Sequence, residues 1–212
     1  ALKDGRVQAV GHSADLSGMA GPDTEVVQLE GRTVIPGLID SHVHAPGAAM
    51  YEFDHPIPEM ESIEDVLAYI RSRAASLGAG KWITVRQVFI TRLREQRYPT
   101  KAELDRAAPD NPVLFSTGPD ASVNTLALKI SGIDKNFQVT GTGQIERDPQ
   151  TGEPTGILRS CTRYVKAQSS DKPASEEDRT RRLLKLFKDY HSVGITSIAD
   201  RDADGAAVDR YR

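Results

Sequence analysis

Two histidines separated by a single residue, His42 and His44, are the residues of this sequence whose types and spacing best suit chemistry. A mostly apolar run over residues 34–39 precedes them and predicts a strand buried on both faces, as in a parallel sheet. Side chains repeat every two residues along a strand, so we expect the two imidazoles to point the same way. Because neutral imidazole binds zinc, iron, nickel and cobalt, the pair predicts half of a divalent-metal site. The alternative is a pair of surface histidines at the end of a strand.

Asp40 extends this pattern, because it lies two residues before His42 and is expected on the same face of the strand. Its carboxylate is a candidate for a further metal ligand. The alternative is a supporting role, in which the carboxylate orients a ligand through a hydrogen bond. Spacing alone does not choose between the two.

Composition and charge bound the classes of partner. The 212 residues carry a formal net charge of −3, which argues against a general nucleic-acid partner. The apolar runs are shorter than a membrane span, so no membrane partner is expected. Cys161 is the only cysteine, which excludes an internal disulfide and leaves the compartment open, with the cytoplasm as the default expectation. The length suffices for one sizeable core, or for one small and one medium domain.

Local signals predict a chain that mixes strands with helices. Asp4 and Gly5 predict the type I′ turn of a short hairpin, and residues 25–29 are the next predicted strand. Capping boxes predict that helices begin just after Ser62 and just after Thr100. Apolar periodicity predicts three further elements, which are a helix at 122–130, a helix at 175–193 and a strand at 195–200.

Four motifs, taken in order, resemble the amidohydrolase family 3 group, which includes N-substituted formamide deformylase-like hydrolases. The motifs are PGLIDSHVH at 36–44, VNTLAL at 123–128, GEPTGILR at 152–159 and GITS at 194–197. The resemblance implies an α/β fold in which residues 34–212 form part of a TIM-type (β/α)8 barrel, with an insertion at about 45–165. It implies that residues 1–33 form a small β-sandwich segment. It also implies that the chain is the N-terminal portion of a longer enzyme.

The same resemblance implies a metal-dependent hydrolase that cleaves carbon–nitrogen, amide-like bonds of a small molecule with metal-activated water. His42 and His44 are then ligands of a divalent ion, for which zinc is the first expectation. The catalytic aspartate of such enzymes comes from a late strand outside this chain, and a homo-oligomer is compatible with the sequence. The competing interpretation is a truncated or degenerate relative without activity. Isomerase or decarboxylase chemistry is a third alternative.

Three further residues are weaker candidates for the site. Many members of the group have Leu-Arg-Glu where this chain has Leu-Arg-Ser at 158–160, and a thiolate of the adjacent Cys161 is a competent metal ligand. The alternative is a small buried cysteine with no chemical role. Asp200 ends the predicted strand 195–200, at the expected barrel rim, or is a plain turn residue. His55 lies in a predicted loop at 45–60, as a substrate contact or as an ordinary loop histidine.

Overall fold

The computed structural model describes all 212 residues, and the chain divides into two compact units. The first unit holds residues 1–43 and 189–201, and the second holds residues 44–188 and 202–212. The strands are β1 Leu2–Lys3, β2 Arg6–Val7, β3 Leu38–Val43, β4 Ile83–Val85, β5 Val113–Thr117, β6 Asp120–Val123, β7 Gln144–Arg147, β8 Pro154–Arg159 and β9 Ile195–Asp200. The α-helices are α1 Ser13–Leu16, α2 Ala45–Ala49, α3 Ile63–Leu77, α4 Lys101–Ala107, α5 Thr125–Ser131, α6 Glu176–Ser192 and α7 Gly205–Tyr211. The chain is therefore of the α/β class, as predicted.

The first 33 residues contain one two-stranded hairpin. Its strands β1 and β2 are antiparallel, and Asp4 and Gly5 between them have φ angles of 51° and 73°, as a type I′ turn requires. The predicted hairpin is thus confirmed. The strand predicted at 25–29 is wrong, because these residues pair with no neighbouring strand and Val26 and Val27 are exposed. β-Branched residues such as these valines favour a strand only where a partner satisfies the backbone hydrogen bonds.

A parallel pair of strands, β3 and β9, forms the second sheet of the first unit. The strand predicted at 195–200 is confirmed, and its register pairs Leu38 with Ile195 at one end and Val43 with Asp200 at the other. The segment leading into β3 passes close to β9, where a Cβ on Gly37 would overlap the Thr196 side chain.

The prediction that residues 34–39 form a strand buried on both faces is wrong. Val34 and Ile35 precede β3, which begins at Leu38, and Leu38 and Ile39 are 50% and 68% exposed. Burial of both faces of a strand requires a layer packed on each face, whereas the structure leaves most side chains of this run in contact with solvent.

A five-stranded mixed sheet forms the centre of the second unit, in the order β4-β5-β6-β8-β7. Strands β4 and β5 are parallel, and the other neighbours are antiparallel. Alternation along β5 buries both faces of the sheet. Val113 and Phe115 pack into a cluster with Ile70 of α3, and Leu114 packs into a second cluster with Leu158. This sheet lies within the stretch that the sequence predicts as an insertion.

Local capping signals fix the helices of this unit. The capping boxes at Ser62 and Thr100 are both confirmed, with reciprocal hydrogen bonds to Asp65 and Glu103. The helix predicted at 122–130 is half wrong, because β6 extends to Val123 and α5 begins only after the cap residue Asn124. The helix predicted at 175–193 is confirmed as α6. No helix of the structure combines the length and the apolar character needed to cross a membrane.

Candidate metal centre

The carboxyl ends of β3 and β9 lie at one edge of their parallel sheet. His42 is the fifth residue of β3, and Asp200 is the last residue of β9. The register pairs Asp200 with Val43, the residue that immediately follows His42. At the same edge, the Arg201 backbone N–H donates a hydrogen bond to the Val43 carbonyl oxygen at 3.1 Å. The structure therefore places Asp200 at the strand end where the sequence expects it, and its role in the site remains a prediction.

Asp40 interacts with the backbone of its own strand. Its Oδ1 accepts a hydrogen bond from the His42 backbone N–H at 3.0 Å, which fixes the chain beside the imidazole. Partial burial raises the pKa of Tyr190, and the negative charge of Asp40 raises it further. This places the carboxylate near the carboxyl-terminal part of α6 within the first unit. The geometry agrees with an orienting role, while a role as metal ligand remains untested.

His44 follows β3 directly and is the N-cap residue of α2. Its backbone leaves the strand conformation, with φ −119° and ψ 67°, and its carbonyl oxygen accepts from the Ala48 N–H at 2.9 Å. Exposure alternates along this stretch, because His42 and His44 are exposed whereas Val43 and Ala45 are buried. The alternation follows the two-residue period from which the His-x-His prediction was made.

The donor set fits half of a metal site. Two solvent-accessible imidazoles, on His42 and His44, are suitable ligands for a borderline divalent ion such as zinc. A catalytic zinc uses three protein ligands and keeps a fourth position for water. The 212 residues bring together no group of three or more histidine, cysteine, aspartate or glutamate side chains that would hold an ion. Each of the two imidazoles therefore has donor chemistry that suits a divalent ion, and their role as ligands remains a prediction.

Cys161 lies in the second unit, in the apolar cluster on one face of the five-stranded sheet. The residue is 0% exposed, and its thiol donates to the Gln144 carbonyl oxygen at 3.2 Å. Burial raises the pKa of the thiol, which favours the protonated form. Metal ligation requires a thiolate. These surroundings favour the small buried cysteine of the alternative interpretation, and no contact supports the ligand role.

A hydrogen-bonded network around Asp54 and His55 was not predicted from the sequence. The His55 Nδ1–H donates to Asp54 Oδ2 at 2.8 Å, and its Nε2 lies 2.6 Å from the Tyr69 hydroxyl. Arg73 donates to the same Oδ2 at 3.1 Å, and the Lys172 backbone N–H donates to Oδ1 at 2.9 Å. Burial alone would raise the pKa of Asp54, but these hydrogen bonds lower it overall. The only local signal was an Asp-His pair in a loop, and its partners lie up to 118 residues away.

Comparison with known proteins gives a consistent family. The sequence profile of the amidohydrolase family matches residues 25–212. The chain is 33% identical over 221 residues to N-substituted formamide deformylase of Arthrobacter pascens, an alignment that covers 100% of this chain and 40% of that protein. It is 30% identical over 207 residues to protein LONG AFTER FAR-RED 3 of Arabidopsis thaliana, covering 94% of this chain and 34% of that protein.

A solved structure also matches along the chain. It is an uncharacterized metal-dependent hydrolase from Pyrococcus furiosus, with a TM-score of 0.45, 20% identity, and coverage of 99% of this chain and 41% of that one. The chain spans well under half the length of the curated relatives it matches. The profile match over most of the sequence confirms the resemblance of its motifs, and this chain belongs to the amidohydrolase family.

Proposed function

We propose that this chain is part of a metal-dependent hydrolase that cleaves carbon–nitrogen, amide-like bonds of small molecules. The observation that carries the proposal is the His-x-His sequence at the carboxyl end of a strand that pairs in parallel with β9. In a (β/α)8 barrel this end of the strands carries the active site. We further propose that β3 and β9 belong to such a barrel, that residues 45–165 contain its insertion, and that residues 1–33 contribute to a β-sandwich.

In this proposal His42 and His44 hold a divalent ion, with zinc as the first candidate. When bound, such an ion lowers the pKa of coordinated water towards 7 and polarises the substrate carbonyl. Asp40 holds the His42 backbone through its 3.0 Å hydrogen bond and so limits the positions that this imidazole adopts. Asp200, the last residue of β9, is a further candidate for a site role.

Metal analysis of point variants tests this proposal. We expect the purified chain to retain zinc after dialysis, and we expect His42→Ala, His44→Ala and the double variant to lose it. His12→Ala is the matched control, because His12 is also exposed and lies in the loop before α1. Bound zinc that is unchanged in the double variant would refute the role of the two histidines. Hydrolysis of simple formamides and N-acyl amines by a longer version of the protein then tests the reaction class.

The competing function is a relative that keeps the fold pattern without activity. Size-exclusion chromatography combined with metal analysis separates the two functions. A hydrolase is expected to elute with stoichiometric metal, whereas an inactive relative is expected to elute without it. Retention of metal by the wild-type chain and its loss in the double variant would argue against the inactive alternative.

A further inference from the structure

The helix that follows His44 is too short to hold its own position. α2 comprises the five residues Ala45–Ala49, and His44 is its N-cap residue. A helix of this length makes few internal hydrogen bonds and is unstable by itself, because nucleation costs more than one turn returns. Its place must therefore be fixed by contacts from elsewhere in the second unit. Those contacts also determine where the backbone of His44 lies.

The first such contact comes from α6. The Nε of Arg182 donates to the Ala49 carbonyl oxygen at 2.8 Å, across 133 residues of sequence. Carbonyl groups in the last turn of a helix have no partner within the helix, and a guanidinium satisfies them well. Ala49 is itself buried, so this carbonyl is held within the second unit. Arg182 thus fixes the carboxyl end of α2.

The second contact reaches α2 through a run of tight turns. Backbone hydrogen bonds continue from His44 almost to Asp54. In chain order they run from Ala48 N–H to His44 O, from Met50 N–H to Gly47 O, from Tyr51 N–H to Ala48 O and from Phe53 N–H to Met50 O. Asp54, which follows this run, accepts from Arg73, His55 and the Lys172 backbone. The Lys172 ammonium also lies 5.4 Å from the centre of the Phe53 ring. Asp54 therefore ties the end of the run to α3 and to the segment before α6.

We propose that Arg182 and Asp54 are positioning residues for His44. They act by fixing the carboxyl end of α2, which begins just after this histidine, and the end of the run of turns that follows it. Their loss would therefore weaken metal binding without removing a ligand. The inference rests on the proposed function, in which His44 is a metal ligand. Loss of a group that supports a ligand typically lowers metal affinity roughly 10- to 100-fold.

The test uses two substitutions that change the size of the side chain little. Arg182→Met removes the guanidinium donor, and Asp54→Asn removes the carboxylate charge. Zinc affinity is measured by competition with a chelator, and we expect it to fall roughly 10- to 100-fold in each variant. Arg181→Met and Asp110→Asn are matched controls on exposed residues and are expected to bind zinc as the wild type does. Arg182→Lys keeps a cationic donor and is expected to restore part of the affinity. Wild-type affinity in both Arg182→Met and Asp54→Asn would overturn the proposal.

Amide hydrogen exchange of residues 45–53, measured without metal, keeps the two proposals distinguishable. We expect faster exchange in this segment for Arg182→Met and Asp54→Asn, with unchanged exchange in the central sheet as evidence that both variants fold. Unchanged exchange in residues 45–53 would overturn the positioning role even if the wild-type chain binds zinc. A wild-type chain that binds no zinc would refute the proposed function and, with it, the positioning of a metal ligand.

Discussion

Replacing Glu103 by glutamine measures how strongly a capping carboxylate stabilises the second unit. Glu103 Oε2 accepts from the Thr100 N–H at 2.7 Å and from the Thr100 hydroxyl at 2.9 Å. The Arg97 guanidinium donates to both carboxylate oxygens, at 2.8 and 2.9 Å. The hydrogen bonds from Arg97 outweigh partial burial and, with those from Thr100, lower the pKa of Glu103 from its ordinary 4.5 to about 2. Glutamine keeps the shape of the side chain and removes its charge.

The magnitude follows from thermodynamic linkage. A fall in pKa from 4.5 to about 2 corresponds to an upper limit of about 3 kcal/mol, at about 1.4 kcal/mol for each tenfold change in acid dissociation. Arg97 is about half exposed, so solvent screening reduces the expected loss in Glu103→Gln to about 1–2 kcal/mol. Because the pKa is lower in the folded chain, this stability is fully present above pH 4.5. It is lost as the pH falls from 4.5 towards 2.

The assay is urea unfolding of the wild type and of Glu103→Gln at pH 7, 4 and 3. We expect the difference in unfolding free energy to be greatest at pH 7 and to fall to less than half of that value at pH 3. Glu25→Gln is the control, because Glu25 is exposed in a segment without regular structure. A difference that stays constant from pH 7 to pH 3 would show that the charge of Glu103 is not what stabilises α4.

Three further predictions concern the core, the β3–β9 pair and the cysteine. Asn124→Ala should lower the unfolding free energy, measured by urea titration, by about 3 kcal/mol or more. The buried Asn124 amide accepts from the Val113 N–H and donates to the Asn111 carbonyl oxygen. Each buried group left unpaired costs about 1–3 kcal/mol. Gly37→Ala should cost about 1–3 kcal/mol by overpacking, and Thr196→Gly in the same chain should recover most of that loss. Cys161 should react with Ellman's reagent far more slowly in the native chain than in urea, because it is buried and its thiol pKa is raised.

Features that depend on neighbouring residues could be predicted from the sequence. The turn at Asp4-Gly5 is set by the positive φ angles that it needs, and the capping boxes at Ser62 and Thr100 are set by a side chain three residues away. The start of α6 is likewise set locally, because the Ser175 hydroxyl accepts from the Asp178 N–H three residues on. In each case the stabilising group lies within one turn of the residue that it stabilises.

Features that depend on distant partners could not be predicted in this way. Residues 122–130 carry apolar side chains at spacings that suit a helix, yet Ser122 and Val123 belong to β6, which pairs with β5 and β8. Asn124 lies inside the predicted helix, but its side chain instead caps α5 and accepts a hydrogen bond from the Val113 N–H of the adjacent strand. Tertiary pairing therefore overrode the local preference for a helix.

The candidate metal centre shows the same division between local and distant information. The His-x-His spacing is local, and so is the expectation that Asp200 ends a strand. That β9 is the neighbour of β3, and that Asp200 meets Val43 in the register, is fixed only by the tertiary fold. The groups that hold the segment after His44 are more distant still, since Arg182 lies 133 residues from Ala49. The spacing of the two histidines is therefore local information, whereas the contacts that we propose to position His44 come from residues that no local pattern identifies. The Arg182→Met and Asp54→Asn measurements test that separation directly, because they change neither histidine.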